Sequence, residues 1–185
     1  MPLLKAILYQ SMLSVLLFAS HFALSAQPAP DRGYQLKAIF LYNFTQFVEW
    51  PANSFASPQS PMVIGVLGAD PFGNYLEETI AGEKINGHPL QIKYFKDVNE
   101  INGCQVLFIN LPESKRQQAL EKLKGKKILT VSDDPDFMKR GGMIRFFTKE
   151  GNIKLQVNLE ADKIESLVLS SKLLRLVEIF TPQKW

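Results

Sequence analysis

Cysteine and histidine are almost absent from the 185-residue chain, which contains one cysteine and two histidines. A single cysteine excludes an internal disulfide, so the core alone has to stabilise the fold. His21 lies in a leader-like N-terminal segment, which leaves His88 as the only histidine of the remainder. A metal site built from several histidines is therefore excluded, and a Ser-His-Asp triad would have to use His88.

The chain also has no large net charge of either sign. The net charge is +3, and removing the leader with its one Lys5 lowers it to +2. No stripe of lysine and arginine interleaved with aromatic residues is present, which argues against a nucleic-acid partner. One group of four lysines is typical of the solvated C-terminal end of a helix: Lys122, Lys124, Lys126 and Lys127.

Uninterrupted hydrophobic runs long enough to span a membrane are lacking as well. Residues 13–24 are mostly apolar, but two serines and a histidine interrupt them, and a spanning helix needs about 18–20 apolar residues. Lys5 precedes this run and small residues follow it. We therefore interpret residues 1–26 as a signal peptide that is cleaved after Ser25 or Ala26, with a membrane anchor as the alternative.

Export of this kind predicts a periplasmic protein that does not itself span the membrane. After cleavage, residues 27–31 form a mature N-terminus that is rich in proline and alanine and is expected to be disordered. The remaining residues, 32–181, are expected to form one domain, because their number suits a single core. The 13 phenylalanines of the chain predict that this core is built largely on aromatic packing.

The stretch 141–180 holds the most regular pattern of the chain. Two β-rich runs, 143–147 and 153–157, flank a short loop that contains Gly151, and together they predict a β-hairpin. Asn158 follows where a helix N-cap is expected. Apolar residues then recur at mostly helical spacing and predict one helix or two abutting ones: Ile164, Leu167, Val168, Leu174 and Val177.

Strands and helices are predicted to alternate before the hairpin. Helices are expected from residue 32 or 33 to 49, after Asp70 as the cap with Pro71 at the first helical position, and over 112–124. Strands are expected at 62–67, 90–95, 106–109 and 127–131. The fold class is therefore α/β: a single-domain sandwich with a mixed, mostly parallel sheet of about five or six strands flanked by helices, and a late antiparallel hairpin.

Few residues offer chemistry, and each has a simpler structural interpretation. The cluster Asp133, Asp134 and Asp136 lacks the spacing of a calcium loop and fits a capped turn. The glycine-containing turn 65–73 does not match a phosphate-binding fingerprint. The sequence offers no activating partner for Ser170, Ser171 or Cys104. Cys104 fits the role of a small buried hydrophobic residue. We expect no catalytic residue, cofactor or metal ligand.

The sequence supports a surface that binds a partner or a ligand better than it supports a catalytic site. Tyr42 and Trp50 lie near the first helix, and aromatic residues are enriched at the centres of interfaces. Arg175 lies between two leucines, where it either pairs with a carboxylate such as Glu178 or is available to an acidic ligand or partner. With Glu160, these residues form our predicted surface.

Three blocks of the chain carry a family resemblance. They run from Lys37 to Pro51, from Ile64 to Gly73, and from Leu129 to Leu174, where Ser132-Asp133, Gly141-Gly142, Asn158-Leu159 and Ser170-Ser171-Lys172 stand out. In this order and spacing the chain resembles the YfiR family of periplasmic repressors. Some members carry disulfide-forming cysteine pairs, and with only Cys104 that redox control is not expected here.

The resemblance implies a regulator without catalysis. YfiR-like proteins bind the periplasmic sensor region of an inner-membrane diguanylate cyclase that is YfiN-like, hold it inactive, and so restrain cyclic-di-GMP output and biofilm formation. Characterised members form homodimers. Two alternatives follow from the residues themselves: a periplasmic protein that binds a small ligand in a cleft at the strand ends, and, ranked last, an enzyme that uses Asp133, Asp134 or His88.

Overall fold

Strands alternate with helices in the computed structural model, which describes residues 32–161 and 166–181. The helices are α1 (Arg32–Phe47), α2 (Tyr75–Ile80), α3 (Glu113–Leu123) and α4 (Ser171–Leu174). The strands are β1 (Val48–Glu49), β2 (Met62–Gly68), β3 (Lys84–Ile85), β4 (His88–Phe95), β5 (Val106–Asn110), β6 (Leu129–Ser132), β7 (Ile144–Lys149), β8 (Asn152–Val157), β9 (Val168–Leu169) and β10 (Val177–Ile179).

Eight of the strands form one sheet in the order β10-β8-β7-β6-β5-β2-β4-β3. All neighbours in it are parallel except the two hairpins, β3-β4 and β7-β8. The predicted mixed, mostly parallel sheet is confirmed. The predicted number of five or six strands was too low, because the two edge strands are only two and three residues long.

Alternation along the buried strands divides the core between the two faces of the sheet. In β2, Ile64 and Val66 pack with residues of α1, whereas Val63 and Leu67 pack with residues of α3. Both sets are fully or almost fully buried, as expected for parallel strands that helices cover on both faces. The predicted sandwich therefore follows from the continuous apolar character of this strand.

Aromatic packing dominates the α1 face, as the phenylalanine content predicts. Phe108 of β5 meets Phe72 edge-on with 4.9 Å between ring centroids, and its ring lies 6.5 Å from Phe146 of β7. Phe44 of α1 stacks on Phe146 at 6.2 Å. Edge-on and offset pairs of this kind stabilise by more than their buried area alone.

Cys104 is a buried small hydrophobe, as interpreted from the sequence. Burial raises the pKa of its thiol to about 12, so the thiolate is not formed near neutral pH. A Cβ added at Gly65 would lie 2.8 Å from its sulfur atom. The thiol thus occupies the space that a glycine in β2 leaves open.

The predicted hairpin is confirmed as β7 and β8. Its two-residue turn is Glu150-Gly151, with φ of 53° and 74°. Two successive positive φ angles are the mark of a type I′ turn, whose twist matches that of the flanking strands. The predicted cap also forms, since the Glu160 N–H donates to Asn158 Oδ1 at 3.2 Å.

The helix predicted after Asn158 begins, since residues 159–161 are helical, but its predicted course through residues 166–181 was wrong. Val168 belongs to β9 and Val177 to β10, and only the four-residue α4 lies between them. The pairing of β10 with β8 overrides the local spacing, with Val177 opposite Leu155. Ile164 lies outside the described residues. Ser170 caps α4 through an oxygen that accepts from the Leu173 N–H at 3.3 Å.

The helix predicted to begin at Pro71 begins later. Asp70 Oδ1 accepts from the Phe72 N–H at 2.9 Å and forms a turn, and α2 begins only at Tyr75. Gly73 has a φ of 55°, which is incompatible with a right-handed helix at that position. The chain therefore completes a turn that buries the Phe72 side chain before the helix starts.

Candidate functional site

The last described stretch, residues 166–181, joins both sheets of the fold. β9 pairs antiparallel with β1, with Val48 opposite Leu169, and the Ser170 N–H donates to the Phe47 carbonyl at 2.8 Å. Leu173 of α4 is buried in the α1-side core. The Phe180 N–H then donates to the Val157 carbonyl at 2.7 Å, beyond the end of β10. This segment is held to the domain at several points.

Large apolar side chains in the same segment nevertheless face solvent. Val168 is 58 % exposed, Leu176 60 % and Ile179 59 %, and Leu174 is 37 % exposed. We name these four residues the C-terminal apolar set. Single exposed apolar residues are ordinary, but four large ones lie between residues 168 and 179, and we take them as a candidate contact surface.

β10 also lies at the edge of the eight-stranded sheet. It pairs with β8 on one side only among the described residues, so the backbone groups of its other side have no strand neighbour there. Glu178 in this strand forms an ion pair with Lys149, 3.0 Å between Oε1 and Nζ. An edge strand with apolar side chains is a ready template for added backbone pairing, and the charged pair is a common restraint on such edges.

The four residues predicted as a surface do not come together. Tyr42 donates from its hydroxyl to Glu83 Oε2 at 3.0 Å, and Arg175 at the end of α4 donates from Nε to the Ser171 carbonyl at 3.3 Å. Trp50 and Glu160 line two different cavities, and neither Tyr42 nor Arg175 lines either one. Sequence reasoning missed the C-terminal apolar set because it assigned Val168 and Leu174 to the buried stripe of a helix.

The cavity beside Trp50, here called the Trp50 cleft, has a volume of about 840 Å³. It lies where β1 ends and where β2 and β4 begin, under the loop that follows Trp50. Its lining comprises Gln46, Val48, Glu49, Trp50, Ala52, Phe55, Ala56, Ser57, Pro58, Met62, Asn86 and His88. Of the predicted surface, this cleft contains Trp50 alone.

Asp133 follows β6 and is paired with α1. Its Oδ2 accepts from Lys37 Nζ at 2.7 Å and from the Tyr34 hydroxyl at 2.8 Å, and Lys37 lies over the Tyr34 ring. Burial raises the pKa of this carboxyl, but the hydrogen bonds from Lys37 and Tyr34 outweigh it, and the pKa falls below the usual range. The group is therefore fixed as a structural anion.

Asp134 is paired on the opposite side of the turn. Its carboxylate is 5 % exposed and lies 3.0 Å from Arg116 Nη1 and 3.1 Å from Arg140 Nη1. The hydrogen bond from the Asp136 N–H to Asp134 Oδ1 closes the turn that was predicted from the sequence. Both aspartates that could have served an enzyme are thus engaged in ion pairs.

No group of three or more side chains in the described part of the chain is placed to hold a metal ion. His88 stacks on Phe55 with 4.1 Å between ring centroids, and its Nδ1 lies 2.6 Å from the Ser60 carbonyl oxygen. None of the helices within residues 32–161 and 166–181 has the length and hydrophobicity of a membrane span.

Replacing Lys37 by methionine should test the role of the Asp133 pair. Because the folded-state pKa of Asp133 is depressed, its stabilisation is present above the unfolded-state pKa and is lost as the pH falls through the folded-state pKa. We expect Lys37→Met to lower the free energy of unfolding by about 1.5 kcal/mol at neutral pH, and the difference to shrink in acid. Urea unfolding at neutral and acidic pH measures it.

The control is Lys139→Met. Lys139 also lowers the pKa of an aspartate, Asp136, but both side chains are about half or more exposed, at 74 % and 48 %. This variant should unfold at the same urea concentration as the wild type at both pH values. Equal effects of the two substitutions would contradict the assignment of Asp133 as a structural anion.

Comparison with known proteins decides the family. The family model described as YfiR/HmsC-like matches residues 34–178, which is most of the chain. The chain belongs to the YfiR/HmsC-like family. No curated protein matches it.

YfiR/HmsC-like membership supports the role of a periplasmic regulator in general, since the family is regulatory rather than catalytic. It also suggests a membrane protein as the partner. The match ends at residue 178, so it includes β9, α4 and most of β10. Three of the four residues of the C-terminal apolar set in this YfiR/HmsC-like chain therefore lie within the matched part, and Ile179 follows directly after it.

Proposed function

We propose that this protein represses an inner-membrane diguanylate cyclase by binding the periplasmic region of that enzyme, and so lowers cyclic-di-GMP and restrains biofilm formation. The observation that carries the proposal is the C-terminal apolar set, which is exposed on a segment held firmly to the core. The proposal includes export with cleavage of residues 1–26, a disordered stretch at 27–31, a domain over 32–181 and assembly as a homodimer.

Repression requires the domain to prefer one conformation of the cyclase. A ligand shifts an equilibrium only by the difference between its affinities for the two states. To move the receptor from mostly active to mostly inactive, that difference has to be of the order of 10⁴-fold, or about 5.5 kcal/mol. Fully burying a valine, leucine or isoleucine side chain contributes about 1.5–3 kcal/mol. Four such side chains that are buried against one receptor state and not against the other therefore suffice in scale.

The proposal is tested by the cyclic-di-GMP content of cells. Deleting the gene should raise it, and expressing the wild-type chain should lower it again. We expect Leu176→Asp with Ile179→Asp to abolish this repression, because two charges then replace apolar anchors. Leu36→Asp is the matched control: Leu36 is 40 % exposed but lies on α1, and its variant should repress normally.

An unchanged cyclic-di-GMP content on both deletion and overexpression would contradict the proposal. Repression by the double variant at the wild-type level would show that the docking surface lies elsewhere. The amount of exported, folded protein is measured in each strain so that poor expression is not mistaken for lost docking.

A second function, the binding of a small periplasmic ligand, is favoured by the Trp50 cleft. Its volume of about 840 Å³ lies within the range of small-molecule sites, about 300–1,000 Å³. Thermal-shift screening against metabolites separates this function from docking to a cyclase, because the screen uses the purified domain alone.

A further inference from the structure

We propose that β10 accepts an extended segment of the membrane cyclase as an additional strand along its free edge. This inference depends on the proposed docking function and deepens it, because it states the conformation and the residue pattern of the segment that docks. Three observations carry it: the direction of the backbone groups of β10, the exposure of the strand and the position of its one charge.

The backbone groups of β10 point alternately toward β8 and away from it. The Phe180 N–H donates to the Val157 carbonyl of β8, so Phe180 faces β8. Glu178, two residues earlier, faces β8 as well. Val177 and Ile179 therefore direct their N–H and carbonyl groups to the outer side. Within residues 32–161 and 166–181, no group forms a hydrogen bond with this outer row.

The outer side of β10 is open to solvent. Ile179 is 59 % exposed, Glu178 is exposed and Val177 is partly buried. A row of unpaired N–H and carbonyl groups in this setting is satisfied by another backbone in extended conformation, which is how peptides add to a sheet edge. A helix would leave the row without a regular partner, because its own backbone groups are already paired.

The opposite edge of the sheet is less suited to an added strand. It is formed by β3 and by the part of β4 that β3 does not cover, and it carries Lys84 and Lys93. Lysine side chains at an edge oppose the addition of a foreign strand. The C-terminal apolar set, in contrast, extends into β10 with Ile179.

The side chains of β10 define the pattern of the incoming segment. Val177 packs against the α1-side core and Phe180 against the core on the α3 side, so the strand alternates between the two faces. Ile179 shares the face of Val177, and Glu178 lies on the other. The segment is thus expected to carry apolar residues beside Val177 and Ile179. Beside Glu178 it should carry a basic or neutral residue, since opposite charges on neighbouring strands stabilise the pair.

A second copy of this chain fits the edge less well. Two β10 strands related by a two-fold axis would pair in the antiparallel direction. The register that uses both outer residues of each strand places Val177 opposite Ile179, and Glu178 then lies directly opposite its own counterpart. Like charges in that position are destabilising. The YfiR/HmsC-like family also suggests a membrane protein as the partner, which supports the cyclase as the source of the strand.

The substitution Ile179→Pro tests the proposal in cells and on membranes. It removes an N–H that β8 does not use, keeps an apolar side chain, and is of a kind that edge strands tolerate. We expect it to raise cyclic-di-GMP to the level of the deletion strain. Capture of the cyclase from solubilised membranes should fall at least about tenfold. Ile179→Val keeps the N–H and most of the side chain, so it should act like the wild type.

Tyr94→Pro is the matched control at the opposite edge. The Leu90 N–H donates to the Glu83 carbonyl next to β3, so Leu90 and, four residues later, Tyr94 face away from β2. Tyr94 is 48 % exposed, and the described sheet does not use its N–H. Removing this N–H should leave capture and repression at the wild-type level.

Hydrogen exchange of the wild-type domain tests the same geometry without a variant. In the free domain, the Ile179 amide should exchange at least about tenfold faster than the Phe180 amide, which is bonded to β8. In the complex captured from membranes, the Ile179 amide should slow to the rate of the Phe180 amide. This measurement decides the matter if Ile179→Pro fails to fold.

The proposal is overturned if Ile179→Pro captures the cyclase and represses like the wild type, or if the Ile179 amide exchanges equally fast in the complex. It is also overturned if folded Tyr94→Pro or Ile179→Val loses as much as Ile179→Pro. A dimer that Ile179→Pro converts to monomers, with repression intact, would assign the edge to a second copy instead. Failure of the docking function itself appears differently, because the wild-type domain then captures no cyclase and leaves cyclic-di-GMP unchanged.

Discussion

The substitution Gly68→Ala is expected to lower the free energy of unfolding by about 3 kcal/mol or more. Gly68 ends β2 with a φ of 96°, a conformation that costs other residues about 1–2 kcal/mol. A Cβ at this position would also collide with the backbone carbonyl of Asn110, the residue paired with Gly68 in β5. No rotamer change relieves a clash with backbone.

The Asn110 carbonyl is moreover fixed in place. It accepts from the Ala69 N–H at 3.2 Å, while the side-chain amide of Asn110 (Nδ2) donates to the Ala69 carbonyl at 2.9 Å. Moving β5 away from β2 would break both hydrogen bonds, which join the carboxyl ends of the two strands. The expected loss is therefore larger than the conformational cost alone.

Gly73→Ala is the matched control for this prediction. Gly73 also has a positive φ, 55°, but apart from its chain neighbours no atom of the described residues lies within 4 Å of the position of an added Cβ. Its substitution should cost only about 1 kcal/mol, the conformational part. Urea unfolding followed by circular dichroism measures both variants, and equal losses would mean that the close approach of β2 to β5 is unimportant.

Removing the Asp134 carboxylate is expected to cost about 3 kcal/mol. In Asp134→Ala, Arg116 loses its ion pair and Arg140 keeps only its pair with the exposed Glu113, while the two arginine side chains are 27 % and 20 % exposed. Breaking a buried ion pair from one side is costly because the remaining charge stays poorly solvated. The estimate lies at the lower end of the usual 3–5 kcal/mol because both guanidinium groups keep some contact with water.

Asp136→Ala is the control in the same turn. Asp136 forms one ion pair with the exposed Lys139, and its substitution should leave the urea midpoint unchanged. An Asp134→Ala variant as stable as the wild type would contradict the account of this turn. Further substitution of Arg116 by methionine should recover part of the loss, because its unpaired charge is then removed.

The elements defined by local pattern were predictable from the sequence. The hairpin at β7 and β8 follows from alternation around Gly151, and α1 follows from apolar residues such as Phe40 and Phe44 at helical steps. Leu36 and Ile39 of the same predicted stripe are exposed, and α1 ends at Phe47, not at residue 49, because β1 pairs with β9. The central parallel strands β2 and β5 are continuous apolar runs of limited length, a pattern that indicates burial on both faces. Long-range pairing was not needed to identify any of them.

The C-terminal segment was not predictable in the same way. Val168, Leu174 and Val177 repeat at steps that suit a helix, yet β9 and β10 form because β1 and β8 lie where they can pair with them. That pairing depends on residues far away in the chain. The exposure of Leu176 and Ile179 depends on it in turn, so the candidate docking surface could not be derived from spacing alone.

The Trp50 cleft was predictable only in part. Trp50 was singled out as an aromatic residue near the first helix, but its neighbours Phe55, Met62 and His88 come from three other segments. The loop after Trp50 is fixed over the sheet by Gln105, whose side chain accepts from the Val63 N–H and donates to the Ser54 carbonyl, both at 2.8 Å. Such a contact between distant residues leaves no local sequence signal.

Affinity capture from detergent-solubilised membranes, followed by mass spectrometry, tests the central claim most directly. The mature wild-type domain and its Leu36→Asp variant are predicted to retain a membrane protein with a diguanylate cyclase domain, whereas the Leu176→Asp, Ile179→Asp double variant retains none. Recovery of the same cyclase with all three baits, or of no cyclase with the wild-type domain, would contradict the claim that the C-terminal apolar set docks onto such an enzyme.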